Sequence, residues 1–372
     1  MTANLHRATG SLLVVGLTGT ELTDLERAWL KLVRPAGVIL FRRNIEDTKQ
    51  TRALIDDATA LCAAHSLRCV DVEGGTVDRL CDALAPMPSA QAVMQAATQS
   101  RKASLILEQG ELIAQSVRAF GFNTTLAPVL DLALPVSAKV MGTRAAASTP
   151  GDVVEYARDF LVGLAKHGVV GCGKHFPGLG GCALDSHLET PSIRRTLRQL
   201  MREDLDPYRE LRKELPMIMV NHAAYPQTPG GNRPASASPY WVTTVLRKRI
   251  GYRGLIFSDD LEMGGILKFM PIEEAAVSAI RAGMDLIEIC HSPELILRAY
   301  EALLAEAERS TAFRKLLLAR ATQTAKQRAK LFARGIPSAL SDKNLEFLRA
   351  RIKRFSQAIS NAQPVLREAH PA

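Results

Sequence analysis

A chain of 372 residues is too long for one small domain and suits one large barrel with appendages or two modest domains. Its 47% hydrophobic and 23% charged residues exclude a low-complexity or fibrous chain. The net charge of +9 invites a nucleic-acid reading, but much of the excess sits on helical segments such as Arg328 to Arg334 and Arg349 to Arg354 with no aromatic platform interleaving the charges, which predicts a solvated helix face.

Taken in chain order, eight apolar runs rich in β-branched residues recur: Leu12–Leu17, Gly37–Phe41, Leu67–Val72, Asn123–Val129, Val169–Gly173, Met217–Val220, Gly254–Phe257 and Asp285–Ile289. Each is continuous rather than alternating, as expected of strands covered on both faces of a parallel sheet. Helical periodicity fills segments between them, including Glu21–Leu32, Arg101–Phe120, Val153–His167, Tyr240–Arg249 and Ile272–Ala282. Eight such alternations predict an α/β fold, a (β/α)8 TIM barrel over residues 1–310. Residues 311–372 read as a helical extension packed on or beside it, interrupted at Gly335-Ile336-Pro337. The Leu12–Leu17 run is too short to cross a membrane and no cleavage pattern follows it. Cys62, Cys69, Cys81, Cys172, Cys182 and Cys290 form no C-x-x-C pair, so they read as reduced thiols in a cytoplasmic protein.

Barrel enzymes of this kind carry their chemistry at the C-terminal ends of the strands. Polar residues gather there: Asn44 after the second run, Asp71 and Glu73 at the third, Asp131 after the fourth, Lys174 and His175 at the fifth, Asn221 and His222 at the sixth, Asp259 and Asp260 at the seventh, and His291 after the eighth. Such repetition suggests one ring around one pocket. Asp259, the first acid after its strand, is a candidate nucleophile, base or metal ligand. Adjacent side chains on extended backbone point to opposite sides, so one of the Asp259–Asp260 pair belongs in the pocket and the other in structural hydrogen bonds. Lys174 could form a Schiff base, or serve as a cationic donor to ligand hydroxyls. His222 lines the pocket or bonds across the barrel top with equal plausibility.

The most informative stretch runs from Lys174 to His187. Its glycines and Pro177 forbid a regular helix and let backbone approach a ligand closely. Asp185-Ser186-His187 places a carboxylate where it can orient an imidazole, which is a proton-transfer device.

Together these segments resemble glycoside hydrolase family 3, in its single-domain bacterial β-N-acetylglucosaminidase branch. The matching pieces are Gly37 to Phe41 with Arg43-Asn44, Asp71 with Glu73-Gly74-Gly75 and Arg79, Ala127 to Asp131, Lys174 to Gly178, Asp185-Ser186-His187, Pro234 to Ser236 and Phe257 to Leu261. The resemblance implies a retaining exo-glycosidase acting on N-acetylglucosamine of muropeptide- or chitin-derived sugars. Asp259 would attack the anomeric carbon, His187 would be acid then base, and Asp185 would orient His187. Asp71, Arg79, Arg144, Lys174 and His175 would hold the sugar. The expectation includes no cofactor, no metal, no nucleic acid or membrane partner, and a monomer. A glycoside phosphorylase on the same residues and a weakly active sugar-binding homologue stay open as alternatives. Leu179, Thr76, Val72 and Ala145 to Ala147 depart from the family's pattern of histidine, arginine, glutamine and an aromatic at these points, while Asp259, His187 and Asp185 are intact.

Overall fold

The structure is a computed structural model that describes residues 2–182, 191–333, 335 and 338–362. Eight parallel strands close into a barrel: β1 (Leu13–Gly16), β2 (Gly37–Leu40), β3 (Leu67–Val70), β4 (Thr124–Thr125), β5 (Val170–Phe176), β6 (Met217–Val220), β7 (Leu255–Asp260) and β8 (Leu286–Ile289). Neighbours in sequence are neighbours in space, and β8 closes the ring on β1 with Val14 opposite Glu288. The (β/α)8 expectation is met. A hairpin of Val72–Gly74 against Val77–Asp78 follows β3 directly.

The expected fourth run is regular only over two residues. Pro128 has no N–H to give to the ladder, so pairing beyond β4 becomes irregular. Val129 still bridges Lys174, and Leu130 N–H donates to the Lys174 carbonyl at 2.6 Å, which keeps this segment beside β5.

Two buried apolar clusters separate the barrel interior from the shell between strands and helices. The inner one contains Val14, Ile39, Leu67, Cys69, Val170, Cys172, Met217, Met219, Leu255, Phe257, Leu286 and Cys290. Strand side chains alternate between faces, so the polar strand-end residues can be assigned to a face by counting in twos. Leu67, Cys69 and Asp71 share the inner face; so do Val170, Cys172 and Lys174, and Leu255, Phe257 and Asp259. The inner stack is apolar below and ionisable above.

The helices are set by local signals. Helix Asp24–Val33 begins at Thr23, whose hydroxyl accepts from Glu26 N–H at 3.1 Å while the Glu26 carboxylate accepts from Thr23 N–H at 2.9 Å, a capping box. Helices Ser104–Ala119 and Pro150–Lys166 cross closely at Gly110 and Gly163; a Cβ on Gly110 would lie 2.4 Å from the Phe160 carbonyl oxygen.

Two arginines of the basic C-terminal part are anchors rather than a solvated face. On helix Thr311–Leu331, Arg328 is 1% exposed and donates to the carbonyls of Ala36 (3.1 Å), Ala64 (3.1 Å) and His65 (3.4 Å), under the N-terminal ends of β2 and β3. On helix Asp342–Ala362, Arg349 Nε donates to the Leu84 carbonyl at 2.9 Å. Among the described residues no helix is long and apolar enough to cross a membrane.

Candidate active site

A cavity of about 480 Å³ opens at the C-terminal ends of the strands. Asp71, Arg79, Arg144, Lys174, His175 and Asp259 all line it, so six of the eight expected site residues meet in one place. The remaining two, Asp185 and His187, lie outside the described residues.

One wall is an interlocked set of charges. Lys174 Nζ lies 2.8 Å from Asp71 Oδ1 and 2.6 Å from Glu73 Oε1. Arg144 grips Glu73 with two parallel bonds of 2.8 Å from Nε and Nη2. Arg79 stands 3.8 Å from the other oxygen of Asp71. Burial pushes the Glu73 carboxyl up, but Arg144 and Lys174 outweigh it and hold it well below the usual range. Burial likewise works against the Lys174 ammonium, yet Asp71 and Glu73 raise it well above the ordinary lysine value. A Schiff base needs a neutral amine, so these two carboxylates disfavour the Schiff-base reading of Lys174. The Glu73 pairing adds a function to the family-like Glu-Gly-Gly piece: a buried counter-charge that orients two cations.

His175 is held from behind. Its Nδ1 is 2.6 Å from Asp131 Oδ2, and the other Asp131 oxygen accepts from Leu179 N–H at 2.6 Å. Asp131 is fully buried, fixing both the imidazole and the start of the glycine-rich loop. A carboxylate on Nδ1 leaves Nε2 to face Arg144 at 3.3 Å and the cavity. Leu179, which replaces the family's histidine, is buried and borders the cavity, so its role is packing.

Asp259 occupies the opposite wall. Burial favours its neutral form, but His175, His222, Lys174 and the Asp260 N–H together hold its carboxyl below the ordinary value, so it is an anion at neutral pH. Asp260 also borders the cavity but is tied down: one oxygen accepts from Glu262 N–H at 3.0 Å and Cys290 N–H at 3.2 Å. That division between the two acids is the one expected from alternation. His222 is fully buried between the Ser236 hydroxyl at 2.7 Å and the Asp260 carbonyl at 2.9 Å. Burial lowers its basicity, and it is a strut under the Asp259–Asp260 segment rather than a pocket residue. Asn44 and Asn221 are also struts, Asn44 bonded to the loop carbonyls of Leu17 and Gly19 and Asn221 to the β5 carbonyl of His175.

Among the described residues one set of side chains could chelate a metal, Asp260, Glu262 and His291. These groups already serve one another: His291 Nδ1 is 2.9 Å from Glu262, and Glu262 also accepts from Ser292 N–H at 2.7 Å. Asp260 and Glu262 hold the imidazole above its ordinary value.

An ionised inward-facing acid across a barrel mouth from an array of cations and carboxylates suits a polyhydroxylated ligand and defines a glycoside hydrolase. The model described as "Glycosyl hydrolase family 3 N terminal domain" matches residues 5–319, and the chain belongs to that family. It is 39% identical over 287 residues to a protein of Alkalilimnicola ehrlichii named beta-hexosaminidase, covering 76% of this chain and 82% of the relative. A beta-hexosaminidase of Methylococcus capsulatus is 38% identical over 288 residues, covering 77% and 85%. Among solved structures, a family 3 beta-N-acetylglucosaminidase from Paenibacillus superposes with a TM-score of 0.84 at 30% identity, covering 95% of this chain and 68% of that one. NagZ from Neisseria gonorrhoeae, in complex with N-trifluoroacetyl-D-glucosamine, superposes with a TM-score of 0.75 at 28% identity, covering 93% and 98%.

Proposed function

We propose that the protein is a retaining exo-β-N-acetylglucosaminidase acting on muropeptide- or chitin-derived sugars in the cytoplasm. The observation that carries this reading is Asp259, an anionic carboxylate facing the same cavity as the Asp71–Lys174–Glu73–Arg144 array. The names of the relatives and the sugar bound to the gonococcal structure supply the glycone.

In the first step an Asp259 oxygen attacks C1 of the sugar. The C1–O bond to the leaving group breaks, and the departing oxygen takes a proton from His187. In the second step water attacks C1, the ester to Asp259 breaks, and His187, now neutral, takes the water's proton. Asp185 orients His187 in both steps; these two assignments rest on the Asp-Ser-His motif. Lys174, Arg79 and Arg144 donate to sugar oxygens, Asp71 accepts from a hydroxyl, and His175 presents Nε2. No cofactor or metal enters either step, so dialysis against EDTA is expected to leave the rate unchanged.

The test is hydrolysis of a nitrophenyl β-N-acetylglucosaminide by wild type, Asp259→Asn and His187→Ala, with and without phosphate. Activity abolished in Asp259→Asn and strongly reduced in His187→Ala supports the reading. A phosphate requirement with a sugar 1-phosphate product would replace hydrolysis by phosphorolysis. Full activity in Asp259→Asn would sink the assignment.

A further inference from the structure

Glu288 has no part in the chemistry above, yet it stands in the same cavity. It occupies the inner face of β8, between Leu286 below and Cys290 above, both members of the apolar inner cluster. Its backbone is pinned: the N–H donates to Ser258 Oγ at 3.0 Å, and the residue pairs with Asp260 of β7. The residue is 2% exposed, and its Oε1 has no hydrogen-bond partner in the protein. Nearby cavity walls are apolar at Ile39, Leu126 and Met219.

This setting favours the neutral form of the carboxyl. Burial first, then Asp260, Asp71 and Asp259, push it well above the ordinary carboxylate range, with Lys174 alone opposing among the main influences. A neutral acid offers one O–H to donate and one C=O oxygen to accept. Leaving such a group buried without a partner costs roughly 1–3 kcal/mol. A sugar hydroxyl answers both halves at once, because it accepts and donates through one oxygen.

We propose that Glu288 is a further substrate-binding residue, its carboxyl exchanging hydrogen bonds with a single hydroxyl of the glycone at the floor of the cavity. The proposal rests on the glycosidase reading and adds to it a selection for that hydroxyl. A site built to bond a hydroxyl rejects analogues that lack it far more strongly than an apolar pocket rejects a size mismatch.

The experiment compares Glu288→Gln and Glu288→Leu with wild type on a nitrophenyl β-N-acetylglucosaminide and its monodeoxy analogues, after thermal melts establish folding. Gln keeps size, neutrality, donor and acceptor, so its KM is expected within about threefold of wild type. Leu loses the bond, so KM is expected to rise roughly tenfold with kcat nearly unchanged, the signature of lost uniform binding. One monodeoxy position should cost wild type roughly tenfold and Glu288→Leu nothing further. An unchanged KM in Glu288→Leu, with wild type active, overturns the role of Glu288 alone. A Gln variant as impaired as Leu overturns it too, because charge rather than hydrogen bonding would then matter. If Glu288→Leu does not fold, the Gln variant decides: a rise in KM above about tenfold overturns the proposal. Wild type inactive on every β-N-acetylglucosaminide overturns this proposal and the glycosidase reading together.

Discussion

The two ends of the barrel each carry a cavity and a buried cation, and they differ in what those cations meet. At the N-terminal end a cavity of about 660 Å³ is bordered by His65, Gly168 to Gly171, Pro216, Leu331 and Phe332, larger than the one at the opposite end. The cation there, Arg328, sees only backbone carbonyls, and burial pulls its guanidinium down to about 10. At the C-terminal end Lys174 and Arg144 meet carboxylates that hold both cations firmly charged. Volume therefore does not mark the reactive end. What distinguishes it is that its buried, oriented charges line the cavity itself, where fixed dipoles and ions stabilise developing charge without reorganising.

Asp259→Asn should separate the ends most sharply, lowering kcat by on the order of 10⁴-fold in the nitrophenyl assay with little change in melting temperature. Arg328→Met should leave kcat/KM within about twofold while exposing three carbonyls to loss of their donor, at about 1–3 kcal/mol in urea unfolding. A large loss of activity in Arg328→Met would break the comparison. Glu73→Gln should cost roughly 3–5 kcal/mol by the same measurement, since Arg144 and Lys174 lose the carboxylate they share. Its pH dependence has a definite sign. The folded carboxyl titrates below its unfolded value of about 4.5, so its contribution is full above that pH and is lost as pH falls through the folded value. Thermal melts between pH 6 and pH 3 should show a shallower acid limb in Glu73→Gln than in wild type. Smallest of all, Thr23→Ala should remove the cap of helix Asp24–Val33 for about 1 kcal/mol and leave KM and kcat untouched.

The barrel was legible because buried parallel strands are continuous apolar runs, and all eight stand out in this chain. What the runs do not reveal is where the ladder stays regular: Pro128 sits inside an apolar stretch that reads as strand, and its missing N–H contributes to the irregular pairing beyond Thr124–Thr125. The cavity residues were legible from their position after each run, but the strut role of Asn44 was not, and His222 stayed open between pocket and strut, since a strand-end polar group bonds a loop or a ligand according to a turn of backbone that composition does not encode. The Glu73–Arg144 grip joins residues 71 apart, and the Schiff-base reading of Lys174 is disfavoured only once the partners are seen. Glu288 escaped because it interrupts an apolar run by one residue, and counting in twos from Leu286 is the signal that could have placed it inward. Asp185 and His187 are known here through their motif.

Arg328 also bears on how the chain comes together during synthesis. The carbonyls it satisfies precede β2 and β3, among the first segments made, while the arginine itself arrives on the second helix after β8. The stretch matching the family ends at residue 319, short of it. The lower rim of a growing barrel thus waits for its buried donor until translation has passed residue 328, so a nascent chain halted at the family boundary would carry every strand and still lack the stopper for its base.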